Sequence, residues 1–246
     1  MARFFVEVAY KGTNYAGFQV QQNANTVQSE VEKALNIFFK KDFDLTGSSR
    51  TDAGVHALQN FFHFDEAIEF EKILNEKDAV YHINAILPGD IVLKSLKRVG
   101  DEAHCRFDAV YRIYEYTLYN KKNPFIDDRA YYYPYPLDMN LLDEAALVIL
   151  ENTDFQSFSK KNTQVFTYNC NMFESKWLFD EDKIIYRVKG NRFLRGMVRG
   201  LVGTMLRVGT KKIDLNQFQE IISSHDVSKV DFSMPSHGLT LIEVGF

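Results

Sequence analysis

Between Gly47 and Ala57 the chain reads Gly-Ser-Ser-Arg-Thr-Asp-Ala-Gly-Val-His-Ala, its densest polar segment. It holds one carboxylate (Asp52), one guanidinium (Arg50), several hydroxyls and two glycines. A carboxylate is ionised at neutral pH and can serve as nucleophile or as base. Glycines let the backbone come close to a ligand. On composition alone the same residues also make an ordinary surface turn with a local Arg50–Asp52 pair. A second concentration of chemistry lies between Arg187 and Lys212. Eight basic side chains (Arg187, Lys189, Arg192, Arg195, Arg199, Arg207, Lys211, Lys212) fall there without one acid. Such clustering predicts a locally positive surface able to hold a polyanion, although the whole chain carries a formal charge of −4.

Other chemistries find no support in the spacing. The six histidines (His56, His63, His82, His104, His225, His237) show no ligand spacing with Cys105 and Cys170, so no metal is expected. Reduced thiols are the simplest account of two cysteines so far apart. The Gly47–Thr51 stretch lacks the closing glycine of a nucleophile elbow, and no Walker-type loop is present. Gly196, Gly200 and Gly203 sit at small-residue spacing, where flanking arginines favour close backbone packing or RNA approach over a membrane dimer. The first residues carry Glu7 where a signal peptide would be apolar, and no apolar run is long enough to span a bilayer. A cytoplasmic protein with no membrane partner is expected.

The elements that position these residues follow from periodicity. Phe4, Val6, Val8 and Tyr10 alternate as in a half-buried strand. Asn25 with Gln28 resembles a capping box ahead of Val27, Val31, Ala34, Leu35 and Phe38 at helical spacing. Strands are predicted near 43–46 and 59–64, so the Gly47–Ala57 segment becomes a loop between strands, where catalytic groups commonly sit. Tyr111–Tyr119 reads as a central strand with Arg112, Tyr114, Tyr116 and Leu118 on one face. Leu141–Leu150 is an amphipathic helix, and 172–179 with 184–188 form a hairpin around Asp180-Glu181-Asp182. An apolar stripe from Phe193 to Val208 predicts the clearest helix, with Arg192, Arg195 and Arg199 on nearly one face. Asp214 with Gln217 caps a further short helix, and Leu239–Phe246 closes the chain as a strand. Strand runs with a few helices predict an α+β fold, mainly antiparallel, in two similar halves, 1–109 and 110–246.

The run Arg50-Thr51-Asp52-Ala53-Gly54-Val55-His56-Ala57 resembles, unbroken, the hallmark of the TruA family of tRNA pseudouridine synthases. Further ordered likenesses are Tyr15–Gln19, Thr26–Gln28, Asn84–Ile91, His104–Phe107, Tyr114–Tyr116, Asp154–Phe158, Asn191–Arg199 and Gly238-Leu239. Together they cover nearly the whole chain. Two departures stand out: Ser49 occupies a usual glycine, which raises the question of loop geometry, and Phe18 replaces a commoner tryptophan.

The resemblance implies a pseudouridine synthase fold: a mainly antiparallel central sheet flanked by helices, with the active-site cleft between the halves. It further implies isomerisation of uridine to pseudouridine at tRNA positions 38, 39 and 40 of the anticodon stem-loop, without cofactor or metal, by a homodimer. Asp52 would be the essential carboxylate, as nucleophile or base. Arg199 would supply its companion guanidinium, since a buried carboxylate needs a cation. Tyr114 would stack on the uracil, a choice over Tyr116 that only the likeness makes. Arg50 would fill the space of the flipped nucleotide or hold a phosphate, and Arg192 and Arg195 would contact the substrate. The competing reading is a tRNA-binding protein that kept the fold and lost the chemistry, but Asp52, Tyr114 and Arg199 are all in place.

Overall fold

Alternate residues Phe4, Val6 and Val8 are fully buried in strand β1 (Ala2–Tyr10), the outcome expected of a period-two apolar pattern. The computed structural model describes residues 1–67, 70, 75–160, 165–180 and 182–246, and statements of absence below refer to these. β1 lies antiparallel between β3 (His56–Glu66) and β4 (Ile91–Val99), with Val6 opposite Phe62 on one side and Leu96 on the other. A two-residue strand β2 (Thr46–Gly47) also pairs with β3. Helices α1 (Val27–Phe39) and α2 (Glu76–Ile86) belong to the same compact unit, which comprises Met1–Val110 and Leu241–Phe246. The terminal strand β9 (Leu239–Gly245) neighbours β3.

The second unit, Tyr111–Thr240, is built on the order β5-β8-β7. β5 (Tyr111–Tyr119) pairs antiparallel with β8 (Lys183–Gly190), which forms a hairpin with β7 (Met172–Asp180). Glu181, in the predicted turn, lies outside the described residues. Strand β6 (Tyr131–Tyr132) adds the parallel pairing to β5. Three helices complete the unit: α3 (Met139–Leu150), α4 (Met197–Gly209) and α5 (Leu215–Ser223). The fold is thus α+β, with a mixed but mostly antiparallel sheet flanked by five helices among the described residues. None of these helices is long and apolar enough to cross a membrane.

Two local expectations are corrected. The cap of α1 is Thr26, not Asn25: its hydroxyl accepts from Ser29 N–H (3.2 Å) while Ser29 Oγ accepts from Thr26 N–H (3.1 Å). The helix predicted over 193–208 begins only at Met197, because Gly196 adopts φ +75, a left-handed backbone that ends helical continuity. Arg192 and Arg195 therefore stand on the approach to α4 and not on its face. By contrast the Asp214–Gln217 box of α5 forms as predicted.

Candidate active site

The loop from Ser48 to Val55 is held by buried polar groups of the strands around it. Ser48 Oγ donates to Asn60 Oδ1 (2.7 Å), and Asn60 Nδ2 donates both to the Ser49 carbonyl (2.9 Å) and to the Tyr10 hydroxyl (3.1 Å). That hydroxyl and Thr51 Oγ1 are 2.7 Å apart. Asn60 is fully buried, so each of these bonds satisfies a group that water cannot reach. Along the segment Ser48, Ser49 and Thr51 are buried, Arg50 is exposed and Asp52 is half-buried. Buried anchoring of their neighbours thus turns Arg50 and Asp52 outward together.

Asp52 opens a tight turn in which its carbonyl accepts from Val55 N–H (3.2 Å). Gly54, third in that turn, sits at φ +79, where a side chain would be strained. Ser49, in the family's glycine position, is not among the non-glycine residues of positive φ, so its Cβ is accommodated without strain. Phe18, in place of tryptophan, stacks on Phe62 with ring centroids 4.3 Å apart and planes 8° from parallel.

Behind the turn, Gly12 N–H donates to His56 Nδ1 (3.0 Å). A Cβ on Gly12 would lie 2.0 Å from the Val55 carbonyl oxygen. Gly12 is itself fixed through its neighbours. Lys11 N–H donates to the Asp90 carbonyl (2.9 Å), Asn14 Nδ2 donates to Asp90 Oδ2 (3.1 Å), and the Tyr15 hydroxyl bonds the other Asp90 oxygen. Asn84 steadies the start of β4 by exchanging two 2.8 Å bonds with the Leu93 backbone. These contacts give Tyr15, Asn84 and Asp90 a structural task in holding Gly12 and β4. The sequence reading missed Tyr10, Asn60 and the clamp made by His56; a polar Asn60 among the phenylalanines of a strand was the available signal.

In the second unit, Tyr114 is buried on β5 and meets Phe193 edge to face at 5.1 Å. Tyr116, two residues on, is fully buried with its hydroxyl donating to the Pro235 carbonyl (2.8 Å). Its ring would collide with a Cβ on Gly238, 2.6 Å away. Tyr116 is thereby committed to holding the 235–238 segment. Arg199, half-buried in the first turn of α4, donates Nε to the Met234 carbonyl (2.5 Å), using one of the five guanidinium N–H groups. The adjoining segment presses on the glycine face of α4: a Cβ on Gly203 would lie 2.3 Å from the Asp231 carbonyl oxygen. The small-residue spacing serves close backbone packing. Asn191 prepares the approach to α4 through its carbonyl, which accepts from Arg112 (3.0 Å), and its side-chain oxygen, which accepts from Asn171 N–H (2.8 Å). Arg192 is half-buried and Arg195 exposed.

Two of the eight basic residues between Arg187 and Lys212 have acidic partners. Arg187 lies between Glu115 (2.5 Å) and Glu174 (3.0 Å), and Lys211 pairs with Asp138 (3.0 Å). Arg187 is thereby held between two acids, whereas Lys211 keeps 69% of its side chain exposed.

The structure also brings His63, His104 and Cys105 together, with ligand-type atoms within 4.8 Å of one another. Their hydrogen bonds oppose a cation. His104 Nδ1 accepts from Arg106 N–H (3.1 Å) and Phe107 N–H (3.3 Å), which leaves the proton of the neutral ring on Nε2. Cys105 Sγ lies 3.0 Å from His63 Nδ1 and donates to the Thr46 carbonyl (3.2 Å). Burial, reinforced by His104 and Arg3, pushes His63 down to about 4 from 6.5. The folded state keeps His63 neutral while the unfolded chain protonates it, so stability is lost as pH falls from 6.5 towards 4 and is flat above. Urea unfolding at pH 5 is expected to show about 1–2 kcal/mol less stability than at pH 7.5, with that difference reduced in His63→Gln. An equal slope in the variant would remove His63 as its cause.

A half-buried carboxylate heads an anchored loop with an arginine beside it, and a basic approach leads into α4 elsewhere in the chain. Comparison with known proteins gives the class. The family described as tRNA pseudouridine synthase matches residues 7–108 and 152–246. The protein called tRNA pseudouridine synthase A from Parabacteroides distasonis is 39% identical over 100% of this chain and 96% of its own. Its counterpart from Porphyromonas gingivalis is 39% identical, over 99% and 97%. That from Staphylococcus aureus is 34% identical, over 98% and 91%. The chain belongs to the tRNA pseudouridine synthase family and is an isomerase.

Proposed function

We propose that the protein converts uridine to pseudouridine at positions 38, 39 and 40 of the tRNA anticodon stem-loop, in the cytoplasm and as a homodimer. Isomerisation detaches uracil from the sugar carbon at N1 and rejoins it through C5, so a proton leaves C5 and one is supplied to N1. Asp52 is the carboxylate that starts this, as nucleophile at the sugar or as base. Tyr114 holds the extruded uracil by stacking, and Arg199 provides the positive charge that a sheltered carboxylate requires. Arg50 offsets the cost of flipping, on the order of a few kcal/mol, by stacking in the vacated space or bonding a phosphate. Arg192 and Arg195 take the neighbouring phosphates.

The observation that carries this reading is the placement of Asp52 in the unbroken Arg50–Ala57 motif, turned outward by buried Thr51 and Ser49 and braced by the Gly12–His56 clamp. Phe193 supports the choice of Tyr114 by packing edge to face on its ring. The test is to incubate purified protein with unmodified tRNA transcripts that bear uridine at 38, 39 or 40, and to map pseudouridine by sequencing. Product confined to those positions is expected. Product only in other stems or loops would overturn the site assignment, and none in any transcript would favour a binding protein that has lost catalysis.

A further inference from the structure

The segment after Ala130 reads Tyr131-Tyr132-Tyr133-Pro134-Tyr135-Pro136. β6 begins it in extended form, and two prolines keep the rest from turning helical. Residues two apart on an extended chain share a face, and the rings bear this out. Tyr131 and Tyr133 have centroids 6.1 Å apart, and Tyr133 and Tyr135 5.2 Å. The row starts beside the 235–238 segment, where Tyr131 meets His237 at 6.3 Å. His237 is near enough to Arg199 to feel its charge, and Tyr116 lies under the same influence. The row ends in solvent: Tyr133 is half-buried and Tyr135 is 64% exposed. Three tyrosines thus lead from the corner of the unit holding Arg199 out to bulk water.

One exposed ring in line with two half-buried ones offers a continuous aromatic face for a partner to cover. The charges around the row narrow the choice of what does. Asp127 and Asp128 act on His237 and Asp231 acts on Tyr133, while Arg199 also acts on His237 and Arg129 pairs with Asp128 (3.5 Å), so charge of both signs surrounds the row and a contact there has to come mainly from the rings. A base presents a neutral π-face to which those carboxylates are nearly indifferent. Single-stranded bases stack on tyrosine irrespective of sequence.

We propose that Tyr131, Tyr133 and Tyr135 form an aromatic track on which unpaired bases of the RNA next to the target uridine stack, with Tyr135 the outermost rung. This rests on the RNA-modifying reading above and adds how the loop around the target is gripped. The hydroxyls are secondary; burial and its aromatic neighbours keep the Tyr133 hydroxyl protonated, above its usual value.

The experiment measures the affinity of unmodified tRNA transcript for the full chain by fluorescence anisotropy at two salt concentrations, with kcat and KM beside it. Tyr135→Ala is expected to raise Kd and KM by roughly 5- to 100-fold, the value of one lost base stack, with kcat unchanged. Tyr135→Phe, which keeps the ring, should stay close to wild type. The salt slope of Tyr135→Ala should equal that of wild type, because no phosphate contact is lost. Unchanged Kd in Tyr135→Ala and in Tyr133→Ala would overturn the track. So would a Tyr135→Phe defect equal to that of alanine, which marks a hydroxyl contact, or a flatter salt slope, which marks a phosphate contact. Because Kd needs no turnover, a chain that bound tRNA without isomerising it would defeat the catalytic reading and still decide this one.

Discussion

Replacing Asp52 by asparagine is expected to stop pseudouridine formation, lowering turnover by more than about 10³-fold while tRNA affinity stays within a few-fold of wild type. The size of the effect follows from the chemistry. An amide of the same shape can neither bond to the sugar carbon nor take up a proton at neutral pH. The substitution leaves the turn's main-chain bond in place, because the Asp52 carbonyl accepts from Val55 N–H whatever the side chain. The loop anchors belong to Ser48, Thr51 and Asn60 and remain. Asp52→Glu keeps the charge and displaces it by one methylene; a loss of about 10²-fold is expected, as for small misplacements of reacting groups. Single-turnover assays with a defined transcript and circular dichroism on both variants make the check. Product from Asp52→Asn at the wild-type rate would remove this carboxylate from the reaction.

Much of this site could be read from the chain because its determinants are local. The loop around Asp52 is one continuous segment, and two of its residue types have a nearby reason: Gly54 for a positive φ and Thr51 for a buried hydroxyl bond. Strands β1 and β5 were legible because alternation survives wherever one face is buried. What could not be read is what depends on distant partners. Arg187 counts as a surface charge until β5 and β8 pair and set Glu115 directly opposite it. Lys211 needs Asp138, and the contact of His63 with Cys105 joins residues from β3 and a loop beyond β4.

The start of α4 shows a different limit. Phe193 and Leu194 continue the apolar stripe of the helix, so periodicity alone runs through them. Phe193 instead packs on Tyr114 and Leu194 is buried before the helix begins, with Gly196 changing the hand of the backbone between them and Met197. Helix α2 escaped notice for the opposite reason. Only Ala79 and Ile83 anchor it, too few to make a stripe, and its value lies in the two bonds of Asn84. At α1 the cap was displaced by one residue because Ser29 does the reciprocal bonding expected of a glutamine.

The same dependence on distant contacts makes Gly12→Ala the most damaging small substitution outside the motif. Its Cβ would stand 2.0 Å from the Val55 carbonyl oxygen and 2.7 Å from the carbonyl carbon. Both are main-chain atoms, so no rotamer change relieves the overlap. The two backbones must separate, and the bond from Gly12 N–H to His56 Nδ1 goes with them. Overpacking of this kind costs about 1–3 kcal/mol, which in a chain of this length lowers Tm by several degrees. Activity should suffer more than stability. Val55 closes the turn that Asp52 opens, and a shift of about 1 Å there carries the carboxylate off its reacting atom at a cost of about 10²-fold in kcat. Gly89→Ala is the matched control, because a Cβ there meets nothing within 4 Å and the backbone lies outside the left-handed region. It should leave melting and turnover unchanged. If Gly12→Ala melted and turned over like Gly89→Ala, the loop would owe its position to the Thr51–Tyr10–Asn60 network alone, and the contact of Gly12 with Val55 would be incidental.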